Sequence, residues 1–542
     1  MTLSFGLSSP ADFDTELADY VDNRVASRLA AGDADLWGPA AREEASKRLA
    51  WVHLPETSRP LVPRIEALRA ELAAEGVDHV TLAGMGGSSL APEVVCATTG
   101  HDIEILDTTD PEQIAEAIGT DLGRTVLVVA SKSGSTVETD TQRRAFEKAF
   151  SDAGIDPASR IVVVTDPGSP LDAFAQRAGY RAVFHGDPEV GGRFSALSAF
   201  GLVPAGLAGV DLTALLDEAV AIAPALAEDS PENPALRIAA FLSVAHARDT
   251  EKLVTVTTDS PVVGFGAWLE QLVAESTGKE GRGVLPVVVE DLDSPGFGDA
   301  RGDAALLFIG RAEGDHQPVS GDACAVDLPL GALFHLFEHV TAVLGYGIGV
   351  NPFDQPDVEA AKKAARALLE SPAEEGAHEA TFTEGHVKVF GTPEVIGSAE
   401  SLRDALSAFL GTADEYGYVA VQAFLDRIGD AAAEALRPAV ARASGLQTTF
   451  GFGPRYLHST GQYHKGGHAN GVFLQITADH RADLVVPGLH FTFGRLQAAQ
   501  AAGDLSVLAQ AGRPVLRLHL TDRAAGIDEV LTALADLAVE QG

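Results

Sequence analysis

Two short loops rich in small and hydroxyl-bearing residues are the part of the sequence best suited to chemistry. They occupy residues 84–89 (GMGGSS) and 131–136 (SKSGST). Each follows an apolar run typical of a strand and opens a helical stretch, where helix amides, hydroxyls and a lysine can converge on an anion. The pattern predicts a phosphate cradle, and it lacks the spacing of a nucleoside-triphosphate loop.

Both loops also have explanations that need no ligand. Ser135 followed by Glu138 has the spacing of a helix capping box, in which each side chain bonds a backbone amide. Gly86 and Gly87 fit an ordinary tight turn. Two such loops on neighbouring strands of one sheet favour the phosphate interpretation over these alternatives.

Two further motifs each carry a charged group. Arg193 follows Gly191 and Gly192, a setting in which a guanidinium can stabilise developing negative charge. A surface arginine after a turn fits the same spacing. Glu275 ends a helical stretch just before Gly278, and on spacing alone it is a solvated carboxylate.

The remaining polar motifs lie later in the chain. Gln355 stands at the entrance of a helix and Lys362 two turns further in, within NPFDQPDVEAAK. Three histidines, His458, His464 and His468, fall in YLHSTGQYHKGGHANG. Their spacing matches no standard zinc pattern and no cysteine is near, so we predict no metal site.

The elements that must position these groups follow from the apolar pattern. Apolar runs separated by helical stretches, such as HVTLAG, TVLVVA and IVVVT, then KLVTVTT and ALLFIG, predict parallel sheets covered by helices. The predicted fold class is α/β, with two doubly wound parallel-sheet domains, a helical N-terminal lead-in and an additional C-terminal α/β region. The predicted domains are residues 1–75, 76–230, 231–370 and 371–542.

The net charge of the chain limits which classes of molecule it can bind. The 542 residues include 39 Lys and Arg against 77 Asp and Glu, a formal charge of -38. A chain with this much negative charge repels phosphate backbones and anionic membranes. We therefore expect neither nucleic acid nor a membrane as partner. An anionic small ligand must therefore be captured by a short-range cluster of cations, hydroxyls and amides.

Cysteine usage and the N-terminus bear on location. The only cysteines, Cys96 and Cys324, are too few and too distant for a disulfide framework. The N-terminal residues have no basic stretch followed by an apolar one, and no window has about 18 uninterrupted apolar residues. We expect a cytoplasmic location.

Several of these motifs together resemble a known family. The succession GMGGSSLAPE, ASKSGSTVET, GGRFSALSAFGLVP, AESTGKEG and GALFHLFEHVTAVLGYGIGVNPFDQPDVEAAK resembles the glucose-6-phosphate isomerases, which are built from two sugar isomerase (SIS) domains. The likeness spans residues 79–370. The remainder, including GPRYLHSTGQYHKGG, looks like the isomerase half of transaldolase/glucose-6-phosphate isomerase fusion proteins. The 78 residues before the match are fewer than the ~200 of a transaldolase barrel, so a stand-alone isomerase is expected.

The resemblance implies roles for matched positions. Glu275 would be the base, Arg193 and Gly192 would face the reacting carbons C1 and C2, and Gln355 and Lys362 would complete the pocket. The phosphate loop departs from the commonest version at residues 133–135, but hydroxyl donors are kept. The residues that would hold the sugar phosphate are Gly87, Ser88, Ser131, Lys132, Ser133 and Thr136.

The ring-opening histidine is the largest departure from the family pattern. Family members carry it between the glutamate and the GALFHLFEH helix, but here that interval holds only His316, in GDHQPV. The closest local likeness to the family's Gly-Gln-His context is residues 461–464. We expect His464 to open the ring, with His458 as the alternative, and His335 and His339 to be packing residues.

The resemblance implies interconversion of glucose 6-phosphate and fructose 6-phosphate, a step of glycolysis and gluconeogenesis, through a cis-enediolate. We expect no metal, nucleotide or redox cofactor. We expect the protein to form a homodimer. The alternative is a non-catalytic SIS-domain sugar-phosphate sensor, which would keep the phosphate loops but would not need Glu275 or Arg193.

Overall fold

The computed structural model describes residues 2–119, 121–311, 322–370 and 379–541. His316, and the predicted boundary between residues 370 and 371, involve residues outside this described part of the chain. Within it, the predicted fold class is confirmed.

The N-terminal lead-in is helical except for one strand that the sequence prediction missed. Strand β1 pairs antiparallel with a strand of the second parallel-sheet unit, Thr2 lying opposite Asp327, so the chain begins as an edge strand of a later sheet. The elements are β1 (Thr2–Gly6), α1 (Pro10–Asp22), α2 (Val25–Ala30), α3 (Arg42–Ala45), α4 (Leu54–Thr57) and α5 (Leu61–Ala74).

The first parallel-sheet unit has five strands in the order β3-β2-β4-β5-β6. The strands at its centre are mostly apolar and are buried on both faces, as expected for a sheet covered by helices on both sides. Its elements are β2 (His79–Gly84), α6 (Leu90–Thr99), β3 (Glu104–Leu106), α7 (Pro111–Gly119), β4 (Thr125–Ala130), α8 (Val137–Asp152), β5 (Ile161–Thr165), α9 (Pro170–Ala178), β6 (Ala182–His185), α10 (Ala199–Ala208) and α11 (Leu212–Leu226).

The second unit begins where the side chain of Asn233 caps a helix by accepting from the amides of Ala235 and Leu236. Its sheet has the order β1-β10-β9-β7-β8. The elements are α12 (Pro234–Ala247), β7 (Lys252–Thr258), α13 (Phe265–Thr277), β8 (Leu285–Val288), β9 (Ala304–Gly310), β10 (Ala323–Asp327), α14 (Leu330–Gly347) and α15 (Val358–Glu370).

The C-terminal region is a third unit with a six-stranded sheet, ordered β11-β12-β16-β15-β13-β14. The apolar runs HVKVF, YVAVQAFL, GVFLQIT and VLRLHLT predict four of these strands, whereas the sequence prediction missed β11 and β14. The elements are β11 (Phe382–Glu384), β12 (Val387–Phe390), α16 (Pro393–Ile396), α17 (Leu402–Leu410), β13 (Tyr418–Phe424), α18 (Leu436–Ser444), β14 (Gln447–Phe452), α19 (Gly461–Gly466), β15 (Gly471–Ala478), α20 (Phe493–Gln510), β16 (Val515–Leu520) and α21 (Arg523–Gln541).

All three sheets share one winding. In each, the second parallel strand lies on one side of the first, and the third and fourth lie on the other side. The chain thus changes direction between the first and third strands, which are β2 and β4 in the first unit. Crevices at such switch points are where open α/β sheets bind ligands.

The lead-in and the first two units are packed together more closely than any of them is with the C-terminal region. One apolar core runs through the lead-in and the first two units, whereas the C-terminal region has its own. A further apolar cluster, which includes Val254, Tyr418, Tyr463 and Phe473, packs the second unit against the C-terminal region. The loops of the three units are therefore held in fixed positions around one cavity.

Candidate functional site

A cavity of about 870 Å³ opens at the carboxyl edge of the first sheet. Its walls come from the lead-in, both parallel-sheet units and the C-terminal region. Every predicted site residue except His464 lines it: Gly87, Ser88, Ser131, Lys132, Ser133, Thr136, Gly192, Arg193, Glu275, Gln355 and Lys362.

The first glycine-rich loop closes one side of this cavity. It turns as a short 3-10 helix, Gly86–Ser88, directly after β2. A Cβ atom at Gly87 would overlap the carbonyl oxygen of Gly192, so only glycine allows this backbone to approach the segment that carries Arg193. The glycine therefore brings two of the predicted motifs into contact.

The second loop, residues 131–136, surrounds a space suited to an anion. The Oγ of Ser131 lies 2.9 Å from the Oγ1 of Thr136, and the Oγ of Ser133 lies 3.0 Å from that of Ser135. Lys132 Nζ donates to Asp166 Oδ2 at 2.6 Å. Hydroxyls, an ammonium and the first-turn amides of α8 can all donate to a dianion here.

The capping-box alternative for this loop is not formed. Thr136 is the residue that precedes α8, and its side chain makes no cap hydrogen bond. Glu138 instead turns into the protein, where its Oε1 accepts from Gln500 Nε2 at 2.6 Å and lies 3.1 Å from His458 Nε2. The spacing of Ser135 and Glu138 thus reflects a long-range contact rather than a local one.

Glu275 lies in the last turns of α13 with its carboxylate held from both sides. Its Oε1 is 3.1 Å from Arg193 Nη1, and its Oε2 accepts from Gln271 Nε2 at 3.1 Å. The side chain keeps 12% of its surface exposed, on the cavity wall. A carboxylate fixed in this way can accept a proton from a ligand in the cavity.

Arg193 is fixed almost completely by the protein. Its Nη1 donates to Gln355 Oε1 at 2.8 Å, and its Nη2 donates to the carbonyls of Pro352 at 2.7 Å and Asp354 at 2.9 Å. The following Phe194 stacks on Trp51 with ring centroids 5.0 Å apart. The guanidinium is therefore preorganised to stabilise negative charge that develops beside Glu275.

Of the two candidate histidines, His458 is the one on the cavity wall. Burial alone raises the pKa of its partner Glu138, but the charge of His458 and the hydrogen bond to it outweigh burial and leave that pKa below its usual range. His458 therefore lies on the cavity wall with an ionised carboxylate 3.1 Å from its Nε2.

His464 lies elsewhere, which differs from the sequence expectation. Because α19 is helical, its side chain turns inward against the rings of Tyr418 and Phe473, where it is 2% exposed. Its Nδ1 is 3.0 Å from the Oη of Tyr418, and burial lowers the pKa of His464 to about 3. It is a neutral core residue outside the cavity. His335 and His339 are also buried, as expected.

Lys362 and Gln355 approach the cavity from the second unit. Lys362 Nζ is 3.2 Å from Glu359 Oε1 on the same helix, and the lysine side chain is 43% exposed. Gln355 precedes α15 and reaches Arg193. Both predicted residues therefore line the cavity. Lys362 lies at its exposed side, and Gln355 lies beside the guanidinium of Arg193.

Several lining residues were not found by sequence reasoning. Gln271 is one helical turn before Glu275, and this spacing predicts that the two side chains lie on the same face of the helix. Lys465 lines the cavity from the C-terminal region, with its Nζ 2.6 Å from Asp504 Oδ1. Gln500 and Glu138 come from distant segments, and no local pattern pairs them.

The described residues show neither a metal-binding cluster nor a membrane span. No group of three or more His, Cys, Asp or Glu side chains there is arranged to hold a metal ion. None of the helices in the described ranges is long and apolar enough to cross a membrane.

The chain is similar in sequence to proteins of one known family. Residues 65–289 match the family model described as phosphoglucose isomerase. The chain is 31% identical over 349 residues to a glucose-6-phosphate isomerase of Cyanothece sp., covering 53% of this chain and 65% of that protein. It is 31% identical over 370 residues to a "Probable glucose-6-phosphate isomerase" of Haloarcula marismortui, covering 57% of this chain and 83% of that protein.

Solved structures give the same fold. A hypothetical protein from Thermus thermophilus aligns with TM-score 0.58 and 28% identity, over 68% of this chain and all of that one. A glucose-6-phosphate isomerase from Chlamydia trachomatis aligns with TM-score 0.55 and 20% identity, over 69% of this chain and 90% of that one. The chain spans about 65% of the length of the curated relatives represented by the Cyanothece protein.

Proposed function

The chain belongs to the phosphoglucose isomerase family, and on that premise we propose that it interconverts glucose 6-phosphate and fructose 6-phosphate, a step shared by glycolysis and gluconeogenesis. The observation that carries the proposal is the arrangement of Glu275 between Arg193 and Gln271 on the wall of a cavity that the hydroxyl and lysine loop also lines. A sensor would have no need for a carboxylate and guanidinium held in contact in the same cavity as the anion loop.

Substrate binding begins at the phosphate. Ser131, Ser133 and Thr136 donate hydroxyl hydrogens to it, Lys132 supplies the charge, and Gly87 and Ser88 form the adjoining wall. Anchoring the dianion far from C1 and C2 uses remote binding energy to orient the reacting carbons.

Ring opening requires a proton to pass between O5 and O1 of the sugar. We assign this step to His458 rather than His464, because His458 is on the cavity wall and has an ionised partner in Glu138, whereas His464 is in the core. General acid–base groups of this kind contribute roughly 10²- to 10⁴-fold.

Isomerisation then follows at C1 and C2. Glu275 removes the proton from C2, which gives a cis-enediolate, and returns that proton to C1, while the hydroxyl proton moves from O2 to O1. Arg193 stabilises the enediolate oxygens, with Gly192 forming the adjacent wall, and a well-aimed donor of this kind is typically worth about 3–4 kcal/mol. Gln355 orients Arg193, and Lys362 completes the pocket. No step requires a metal, nucleotide or redox cofactor.

The decisive experiment is interconversion of the two hexose phosphates by the purified protein in EDTA. Glu275→Gln is expected to lower turnover roughly 10³-fold, as loss of a general base does, while calorimetry still detects fructose 6-phosphate binding. Wild-type protein that is folded but does not turn over either sugar would refute the proposal.

Glu270→Gln provides the matched control. Glu270 lies on the same helix outside the cavity wall, and burial raises its pKa to about 8, so that its carboxyl is mostly protonated at neutral pH. An amide imitates that protonated form. We therefore expect full turnover, and an equal loss in both variants would mean that Glu275 is not the base.

We propose in addition that the protein is a cytoplasmic homodimer that binds neither nucleic acid nor membranes. The resemblance to the family supports the dimer, and the formal charge of -38 supports the absence of anionic partners. Sedimentation equilibrium tests the dimer, and cell fractionation tests the location.

A further inference from the structure

The short helix α19 of the C-terminal region lies against two segments of the second unit. One is the turn after α13, which carries Glu275, and the other is the entrance of α15, which carries Gln355. The amide of Gly281 donates to the carbonyl of Gly466 at 2.8 Å. A Cβ atom at Gly278 would lie 2.5 Å from the Cα of Tyr463, so the contact is close-packed.

Gln462 stands at the centre of this contact and is fully buried. Its Nε2 donates to the carbonyl of Gly278 at 2.9 Å and to Asp357 Oδ2 at 2.6 Å. Its Oε1 accepts from the backbone amide of Asp357 at 3.0 Å. One amide group therefore satisfies polar atoms on both segments, which in a buried position strongly fixes their separation.

Both segments lead directly to reacting groups. Gly278 is three residues after Glu275, and Asp357 is two residues after Gln355, whose Oε1 accepts from Arg193. A second link joins the same two segments: Lys279 Nζ donates to the carbonyls of Asn351 at 2.6 Å and Asp354 at 2.7 Å. The segment that carries Glu275 and the loop that holds Arg193 are thus linked by two sets of hydrogen bonds. Lys279 makes one set, and Gln462, from the third unit, makes the other.

We propose that Gln462 is a positioning residue, which sets the distance between Glu275 and the Arg193–Gln355 pair without touching substrate. The inference rests on the proposed isomerase function. Gln462 itself does not line the cavity, and it acts through Gly278 and Asp357. Misplacement of a reacting group by about 1 Å can lower a rate roughly 10²-fold.

The test replaces Gln462 by methionine, which keeps the side-chain length and removes all three hydrogen bonds. We expect kcat to fall roughly 10- to 100-fold while KM for fructose 6-phosphate changes less than about 2-fold, because the phosphate loops are untouched. Asp357→Ala removes one of the same contacts from a partly exposed position, and it should give a smaller loss of kcat with the same unchanged KM.

Gln475→Met is the matched control. Gln475 is equally buried in β15 of the same region, where its Nε2 donates to the carbonyl of Ala501 at 2.9 Å, away from the cavity. It should lower the unfolding temperature but leave kcat unchanged in folded protein.

The outcomes separate the two proposals. A wild-type protein without isomerase activity overturns the proposed function. An active wild type with unchanged kcat in Gln462→Met and Asp357→Ala overturns the positioning role, as does a rise in KM alone or an equal loss of kcat in Gln475→Met.

Discussion

The two ends of the cavity are built in opposite ways. The phosphate end is local: its donors come from two loops that follow the neighbouring strands β2 and β4. The reacting end is assembled from four distant segments, which carry Arg193, Glu275, Gln355 and His458. At the phosphate end the hydroxyls contact one another and Lys132 pairs with Asp166 of the same unit, whereas at the reacting end each charged group pairs with a residue of another unit.

This difference follows from what each end must do. An anion cradle needs amides, hydroxyls and charge, which a strand, a loop and a helix N-terminus supply together. Proton transfer needs groups fixed to within fractions of an ångström, and here such groups are held by contacts between units. Changes at the phosphate end should therefore weaken binding, and changes at the reacting end should lower turnover.

After the loss expected for Glu275→Gln, the largest effect expected from the comparison concerns the two candidate histidines. His458→Gln should lower kcat about 10²-fold, since ring opening would lose its acid–base group. It should also abolish enzyme-catalysed exchange between the α and β anomers of glucose 6-phosphate, which requires ring opening alone. Exchange spectroscopy by NMR measures this step directly.

Two variants serve as controls for that prediction. Glu275→Gln should keep anomer exchange while losing isomerisation, because C2 proton removal comes after ring opening. His464→Gln should keep both, and should lower only the stability, by about 1 kcal/mol for a lost buried hydrogen bond. Loss of exchange in His464→Gln with retention in His458→Gln would reverse the assignment.

An intermediate effect is expected at the phosphate end. Lys132→Met should raise KM for both sugars about 10- to 100-fold, which corresponds to the ~1.5–3 kcal/mol of a charged hydrogen bond, with a smaller change in kcat. Lys148→Met is the control, since that lysine is exposed on α8 and pairs with Asp152. A fall in kcat at unchanged KM for Lys132→Met would contradict the division between the two ends.

The sequence predicted most of the strands of the first two units because they are mostly apolar and bounded by turn residues. It missed β14, whose sequence QTTFGF mixes polar and glycine residues and is buried by contacts with β13. It also missed β1, which pairs with a strand more than 300 residues away. Long-range pairing explains the failure at β1, and the polar residues of QTTFGF explain it at β14.

The same reasoning applies to the candidate site. The loop at residues 131–136 was predictable from spacing, because the donors that converge there are consecutive. The placement of His458 was not, since it depends on the missed strand β14 and on a contact with Glu138, 320 residues earlier. A helix cap stood as an alternative role for Glu138 because its long-range partner could not be seen.

The smallest effect concerns Lys279, which is buried at the reacting end. Burial, together with the charge of Arg193, lowers the pKa of Lys279 to about 8, from an ordinary 10.5. Between these values the unfolded chain binds more protons than the folded one, so this group makes the free energy of unfolding rise with pH in that window, by at most ~1.4 kcal/mol per pH unit. Urea denaturation between about pH 7.5 and 10 should show this slope in the wild type and lose it in Lys279→Met, whereas Lys148→Met keeps it. Parallel curves for wild type and Lys279→Met would mean that the ammonium titrates normally, and that the two ends do not differ in how their lysines are held.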